Sequence, residues 1–186
     1  TVEDSRDFER SFVLLGVGSS YSLNPKNELY ANISQNYRSV TFNNIRVVNP
    51  NLVIDPEITD EEGFTADIGV RGRLADKVSY DVSIFGLRYN DRIGVVDVAT
   101  ATDYYRYKSN IGDAFIYGLE TFADWDLKNT FFETSEDHKL NYFVNAAFTS
   151  SEYVDSNEIN VEGNEVEFIP KVNLKTGLNF GYKNFL

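Results

Sequence analysis

The 186-residue chain carries a formal charge of -12 with 42% hydrophobic and 15% aromatic residues, which suits one folded domain and, with 12 Gly against 4 Pro, favours β structure over helix. That charge excludes nucleic acid as a partner, because phosphate contact needs clustered Lys and Arg, and the absence of Cys excludes a disulfide framework and a thiolate metal site. No apolar run approaches the roughly 18 residues of a membrane helix, and a mean hydropathy of -0.34 excludes a helical membrane protein but not a barrel, whose strands turn half their residues to a polar lumen.

The first ten residues, TVEDSRDFER, lack the basic and apolar regions of a secretion signal. The chain is therefore expected to be cytosolic, processed, or a piece of something longer. A first strand is predicted over 8–21, with Gly16 and Gly18 allowing it to bend. Gly16-Val17-Gly18 has neither the third glycine nor the ensuing helix of a dinucleotide site. Residues 22–27, containing Asn24-Pro25, read as a turn. A second strand over 28–38 sets Leu29, Ala31, Ile33 and Tyr37 against Tyr30, Asn32, Ser34 and Asn36. Its Asn32-Ile33-Ser34 triplet, mid-strand, is a chance glycosylation match.

Arg38 and Arg46 flank the start of a long link, 39–62. Its acidic run, Asp55 to Glu62, lacks the spacing and central glycine of a calcium loop and is read as a solvated acidic loop. A third strand over 63–74 places Phe64, Ala66, Ile68, Val70 and Leu74 opposite Thr65, Asp67, Arg71 and Arg73. After a two-residue turn, a fourth strand over 77–90 runs Val78, Tyr80, Val82 and Ile84 on one face and Phe85, Leu87 and Tyr89 on the other. That change of phase predicts a bulge near Phe85 or Gly86. Arg92 opens the next link, 91–112, in which Arg106 sits among Tyr104, Tyr105 and Tyr107.

The fifth strand, 113–127, is the most informative. Phe115, Tyr117, Leu119, Thr121, Ala123, Trp125 and Leu127 share one side, while Gly118, Glu120, Asp124 and Asp126 share the other, with Ile116 and Phe122 as exceptions. At about 3.3 Å per residue, the stretch 115–127 reaches about 43 Å, or roughly 30 Å of height at a tilt near 45°. That is membrane-spanning height. Aromatic ends, an apolar side and an acidic side are the pattern of an outer-membrane barrel strand, with Trp125 and Phe115 in the aromatic girdles and Glu120 and Asp124 in the lumen. Residues 128–138 form an intermediate link ending at the one histidine, His138, an ordinary turn residue with no nucleophile elbow near it. Strands over 139–151 and 171–183 follow, separated by the link 152–170; the last sets Val172, Leu174, Leu178, Phe180 and Tyr182 against Lys171, Asn173, Lys175, Asn179 and Lys183.

Links alternate between turns and stretches of about twenty residues, the rhythm of a barrel with turns at one end and loops at the other. A large soluble sandwich also alternates, but strand length and this rhythm favour an all-β, antiparallel transmembrane barrel. No catalytic residue, metal site or cofactor is expected. Guanidinium groups grip carboxylates in bidentate fashion, so Arg38, Arg46, Arg92 and Arg106, with Tyr105, are the candidates for binding an anionic ligand.

The run Leu29 to Arg38, then Asn49-Pro50-Asn51-Leu52, then Pro56-Glu57 and the strand Gly63 to Gly72, resembles the barrel of TonB-dependent outer-membrane receptors. The family pattern there is Asn-Pro-x-Leu-x-Pro-Glu; here Val53, Ile54 and Asp55 separate Leu52 from Pro56. Tyr117-Gly118-Leu119-Glu120 and Ile169-Pro170-Lys171-Val172-Asn173-Leu174 resemble two further strands of the family. In wording, Leu29 to Arg38 and Leu174 to Asn184 are most like the iron(III) dicitrate type. The resemblance implies a bacterial outer-membrane barrel of about 22 strands with a plugged lumen. It implies a ferric chelate, citrate favoured, as cargo, and outer-membrane lipid and the TonB complex as partners, the latter through a plug. No plug or energy-coupling box is legible, and Lys175-x-Gly177-x-x-Phe180-x-Tyr182 reads as an internal look-alike of a barrel's terminal signal. The chain is thus expected to supply seven to eight strands of the C-terminal half of such a barrel. A carbohydrate-binding sandwich is the alternative fold and function; an oligosaccharide, cobalamin or another siderophore are the alternative cargoes.

Overall fold

The computed structural model describes residues 11–47, 49–132, 138–156, 158 and 160–183. Eight strands form one sheet: β1 (Gly16–Asn24), β2 (Asn27–Arg38), β3 (Leu52–Ile54), β4 (Glu61–Leu74), β5 (Val78–Ala99), β6 (Tyr104–Asp126), β7 (His138–Asp155) and β8 (Val172–Tyr182). The order is β1-β2-β4-β5-β6-β7-β8, each neighbour antiparallel, with β3 added in parallel to the outer part of β6. Two short helices, α1 (Phe42–Ile45) and α2 (Leu127–Phe131), sit in connections. The Asp126 carboxylate caps α2 by accepting from the Asn129 amide at 2.8 Å.

Directly opposed residues in antiparallel strands share a face, so the register assigns both faces of the sheet. Ala31, Ile68, Ile84, Leu119, Phe148 and Val172 form one continuous row across six strands. Among the described residues nothing packs over Ile84, which is 58% exposed, or Phe148, which is 50% exposed. A soluble sandwich would cover it with a second sheet about 10 Å away; here all eight strands lie in one sheet. The row Gln35, Phe64, Arg88, Phe115 and Glu152 bounds the face at one end, and the row Leu74, Val78, Trp125, Tyr142 and Leu178 at the other. From Phe115 to Trp125 is about 33 Å along the strand, or about 25 Å of height at a 40° tilt, the height of an outer-membrane barrel's apolar band.

The opposite face is polar. Tyr30, Gly69, Ser83, Glu120, Ala147 and Asn173 form one of its rows, and the Tyr30 hydroxyl donates to Asp81 at 2.7 Å while the Asn32 amide donates to Asp67 at 2.9 Å. Glu120 and Asp124 lie on this wall. The expected assignments of faces in the strands around Ala31, Ile68 and Leu174 hold, because each matches the row its neighbours impose.

Three expectations are corrected. Residues 91–112 are not a loop: β5 and β6 continue beyond the band as a paired ribbon, Ile93↔Asn110 to Ala99↔Tyr104, and turn over only at 100–103. Val95, Val96, Val98, Tyr104, Tyr105 and Tyr107 are strong strand formers, and their pairing needs no apolar face to direct it. The bulge lies not at Phe85 or Gly86, where register is unbroken from Val78 to Tyr89, but at Asp91, with φ 55°, next to the Arg92↔Gly112 pair, in which Gly112 has φ 147°. Phe85 keeps the strand's phase and faces the polar wall, where a Cβ on the neighbouring Gly118 would come within 3.0 Å of its ring. Finally, β1 begins at Gly16, later than expected, because residues 11–15 are described and form no strand; residues 8–10 and the acidic turn 133–137 before His138 lie outside the described residues.

Candidate functional site

Short turns close one end of the sheet, at Pro25-Lys26 and at Ala75 to Lys77, whereas the other end carries the β5–β6 ribbon and two folded loops. Residues 39–60 form the first loop and 156–171 the second. Alternation along β6 sends them to different sides of the ribbon. Lys108 and Asn110 meet the first loop: the Lys108 ammonium donates to the Asn43 carbonyl at 3.2 Å, and Asn110 accepts from the Thr59 amide at 2.8 Å. Ile111, on the other side, packs with Ala114, Tyr153, Val161 and Val166 of the second loop and its strands. This cluster holds five of the ten buried apolar side chains among the described residues; Val40, Ile54 and Ile58 bury in the first loop, and Ile116 and Ala146 within β6 and β7.

The first loop reaches β6 through the turn at Asn49-Pro50-Asn51-Leu52. The Asn49 side chain accepts from the Asn51 amide at 3.0 Å and its carbonyl accepts from the Leu52 amide at 2.9 Å. This Asx turn launches β3. The Arg106 amide donates to the Asn51 carbonyl, and the Asp55 amide to the Lys108 carbonyl, each at 2.8 Å, so the loop is clamped to the ribbon's free edge.

The acidic run is not simply solvated. Asp55 accepts from the Glu57 amide at 2.8 Å, Asp60 from the Val40 amide at 2.6 Å and from the Tyr37 hydroxyl. Glu61 is fully buried, at 0% exposure, and accepts from Arg38 and from the Ile93 amide at 2.9 Å. These carboxylates are consumed in holding the loop to the strands. Among the described residues no group of three or more His, Asp or Glu side chains is placed to hold a metal ion.

All five candidate ligand-binding residues lie at this loop end, but they do not converge on one point. Arg38 ends β2 with one nitrogen shared between both Glu61 oxygens, 3.1 and 3.2 Å away. Arg92 follows the bulge, its guanidinium 5.8 Å from the centroid of the Tyr89 ring and its Nε buried without an acceptor. Beside it the Tyr153 hydroxyl donates to Glu167 at 2.9 Å. Arg106 lies 3.8 Å from Asp97, both well exposed, and Tyr105 is half-buried opposite Val98. Arg46 is exposed at the end of α1 and makes no ion pair among the described residues.

Lys108 belongs with them and was missed. Burial, then the nearby Arg38 guanidinium, hold its ammonium below the ordinary lysine range. Period-2 spacing from Arg106 was the available signal, since both fall on one face of β6. Asp97 raises the Tyr104 hydroxyl above its ordinary range through a hydrogen bond, and burial raises that of Tyr107. The loop end therefore gathers cations and phenols, Arg92, Arg106, Lys108 and three tyrosines on the β5–β6 ribbon and Arg38 and Arg46 beside it.

Comparison with known proteins is consistent with this architecture. Residues 2–185 match the family described as TonB dependent receptor-like, beta-barrel. No curated protein gives a match. Among solved structures, the ferric yersiniabactin uptake receptor FyuA from Yersinia pestis aligns with TM-score 0.60 and 20% identity over 88% of this chain and 22% of its own. The copper transporter OprC aligns at 0.63 and 17%, over 89% and 24%. The ferric citrate transporter FecA, in the unliganded form, aligns at 0.58 and 21%, over 89% and 22%. The chain thus spans about a quarter of the length of these structures, and at such identities the likeness is one of fold. With a family match over nearly its whole length, the chain belongs to the β-barrel family of TonB-dependent receptors.

Proposed function

We propose that this chain forms part of the C-terminal half of an outer-membrane receptor that binds and imports a ferric chelate, with ferric citrate the leading cargo. Its strands supply barrel wall against outer-membrane lipid, and its loop end supplies part of the extracellular binding surface. A plug elsewhere in the receptor connects to the TonB complex. The chain carries out no covalent chemistry.

One observation carries the cargo reading: Arg38, Arg46, Arg106 and Lys108 all stand at the loop end, on a ribbon and loops clamped by backbone hydrogen bonds, in a chain whose net charge is -12. Cations retained at a rim in so acidic a chain suit a ligand whose outer atoms are carboxylates. Exposed pairs such as Arg106 with Asp97 are worth only about 0–1 kcal/mol, so Arg106 exchanges its acid for a ligand at little cost.

The test is equilibrium binding of ferric citrate to the intact receptor, with Arg46→Ala and Arg106→Ala alongside. Each replacement is expected to weaken binding about tenfold, or about 1.4 kcal/mol. Unchanged affinity in both removes them from the site. Saturable binding of cobalamin, an oligosaccharide or another siderophore in place of ferric citrate reassigns the cargo.

A further inference from the structure

Trp125 belongs to the apolar face of the sheet, opposite Val78 on one side and Tyr142 on the other. The chain makes no tight turn after it. The Asp126 carboxylate caps α2, the Thr130 hydroxyl donates to the Asp126 carbonyl at 2.6 Å, and the Asp126 amide donates to the Lys77 carbonyl of the neighbouring turn at 2.8 Å. These bonds set the helix against the Trp125 side of the sheet: the indole N–H donates to Thr130 at 2.9 Å and the Phe131 ring lies 5.5 Å from the indole. Apolar surface thus continues past the end of the strand, where Phe131 is 62% exposed and Phe132 55%. β6 and β7, which α2 connects, already have their outer neighbours β5 and β8. Further strands of the barrel join at the β1 and β8 edges and not beside α2.

The capped helix start and the satisfied indole let this surface leave water without stranding those polar groups. We propose that α2, with Phe131 and Phe132, is a foot that seats in the headgroup region of the phospholipid leaflet at the turn end. A helix lying in that interface puts its apolar side chains about 5–10 Å into the boundary between headgroups and chains. The five residues of α2 span about 7.5 Å, so the helix lies within that zone. By sequence the connection sets Glu133, Glu136 and Asp137 against Lys128 and Lys139. Attraction to anionic lipid therefore does not hold the foot; burial of the two rings does. The foot rests on the barrel-wall part of the functional reading and is independent of the cargo. It sets the depth of the β6–β7 hairpin in the membrane.

The experiment places the intact receptor carrying Phe132→Trp in phosphatidylcholine vesicles and takes the new fluorescence as the difference from the parent. Lipids brominated at chain carbons near the headgroup are expected to quench it at least twofold, and aqueous acrylamide to quench it at least threefold less than free N-acetyltryptophanamide. Leu119→Trp, in the middle of the apolar face, is the control for the barrel wall and is expected to be quenched most by lipids brominated at the chain end. Quenching of Phe132→Trp by acrylamide but not by brominated lipid overturns the foot; if Leu119→Trp is still quenched by lipid, the barrel wall stands. Loss of lipid quenching at both positions overturns the foot and the membrane placement together. Lipid quenching of Phe132→Trp that appears only when phosphatidylglycerol is added also overturns the foot, because the hold is then electrostatic.

Discussion

Arg38 and Glu61 face each other across the β2–β4 pair, and they are unequal partners: Glu61 is fully buried while the Arg38 side chain is 53% exposed. Glu61 also accepts from the Ile93 amide, two residues past the bulge at Asp91. One carboxylate therefore ties the end of β2 to the base of the β5–β6 ribbon.

Glu61→Ala leaves a buried amide and a rim guanidinium without their acceptor, so the ribbon's base should loosen. We expect amide exchange around Ile93 to quicken roughly 10- to 100-fold, about 1.4–2.7 kcal/mol, by hydrogen-exchange mass spectrometry. Arg38→Ala should have a smaller effect, because its exposed head is partly solvated. Equal protection in Glu61→Ala and the parent would contradict the tie.

Leu119 sits mid-band in the row shared with Ile84 and Phe148, and Glu120 on the wall behind it. Leu119→Arg places a charge at the bilayer midplane and should cost about 2–4 kcal/mol in reversible unfolding from lipid vesicles. Glu120→Gln should change stability by less than about 0.5 kcal/mol. Similar costs for both would mean the faces are wrongly assigned.

A side chain at Gly118 has nowhere to go, because its Cβ would overlap the Phe148 carbonyl oxygen across the β6–β7 pair and crowd the Phe85 ring. Gly118→Val should therefore lower stability by about 1–3 kcal/mol, despite valine's preference for strands. The loss of melting temperature in detergent checks this.

Trp125, whose indole donates to Thr130 at 2.9 Å and whose ring lies 5.5 Å from that of Phe131, stands at the turn end of the apolar face, where an aromatic girdle is expected. Its fluorescence, isolated as the difference between the receptor and Trp125→Phe, should be quenched more by lipids brominated near the headgroup than by lipids brominated at the chain end. Deeper quenching would move the girdle away from it.

Much of the wall was legible in the sequence because alternation is a local property: Phe64, Ala66 and Ile68, or Leu174, Leu178 and Phe180, announce a face without reference to any neighbour. The outer ribbon was not. Residues 93–99 and 104–110 mix Asp97, Arg106 and Lys108 with valines and tyrosines, so neither face is uniformly apolar and the segment read as a loop. The bulge was misplaced for a related reason, since Phe85 and Leu87 turn apolar groups to the polar wall, where packing against neighbours such as Gly118 outweighs simple patterning.

By itself the sequence determined the number of long strands, their lipid and lumen faces, and the end at which the loops lie, because strand geometry fixes these through a period of two residues. Only the tertiary structure decided which charges are available. Glu61 and Arg38 are 23 positions apart in sequence, and Lys108 lies further still from Asn43; strand register and the docking of the first loop bring them together. Burial then makes Glu61 a structural tie and sets Lys108 against a backbone carbonyl, without an ion-paired acid among the described residues, a difference in solvation that no residue type carries in advance.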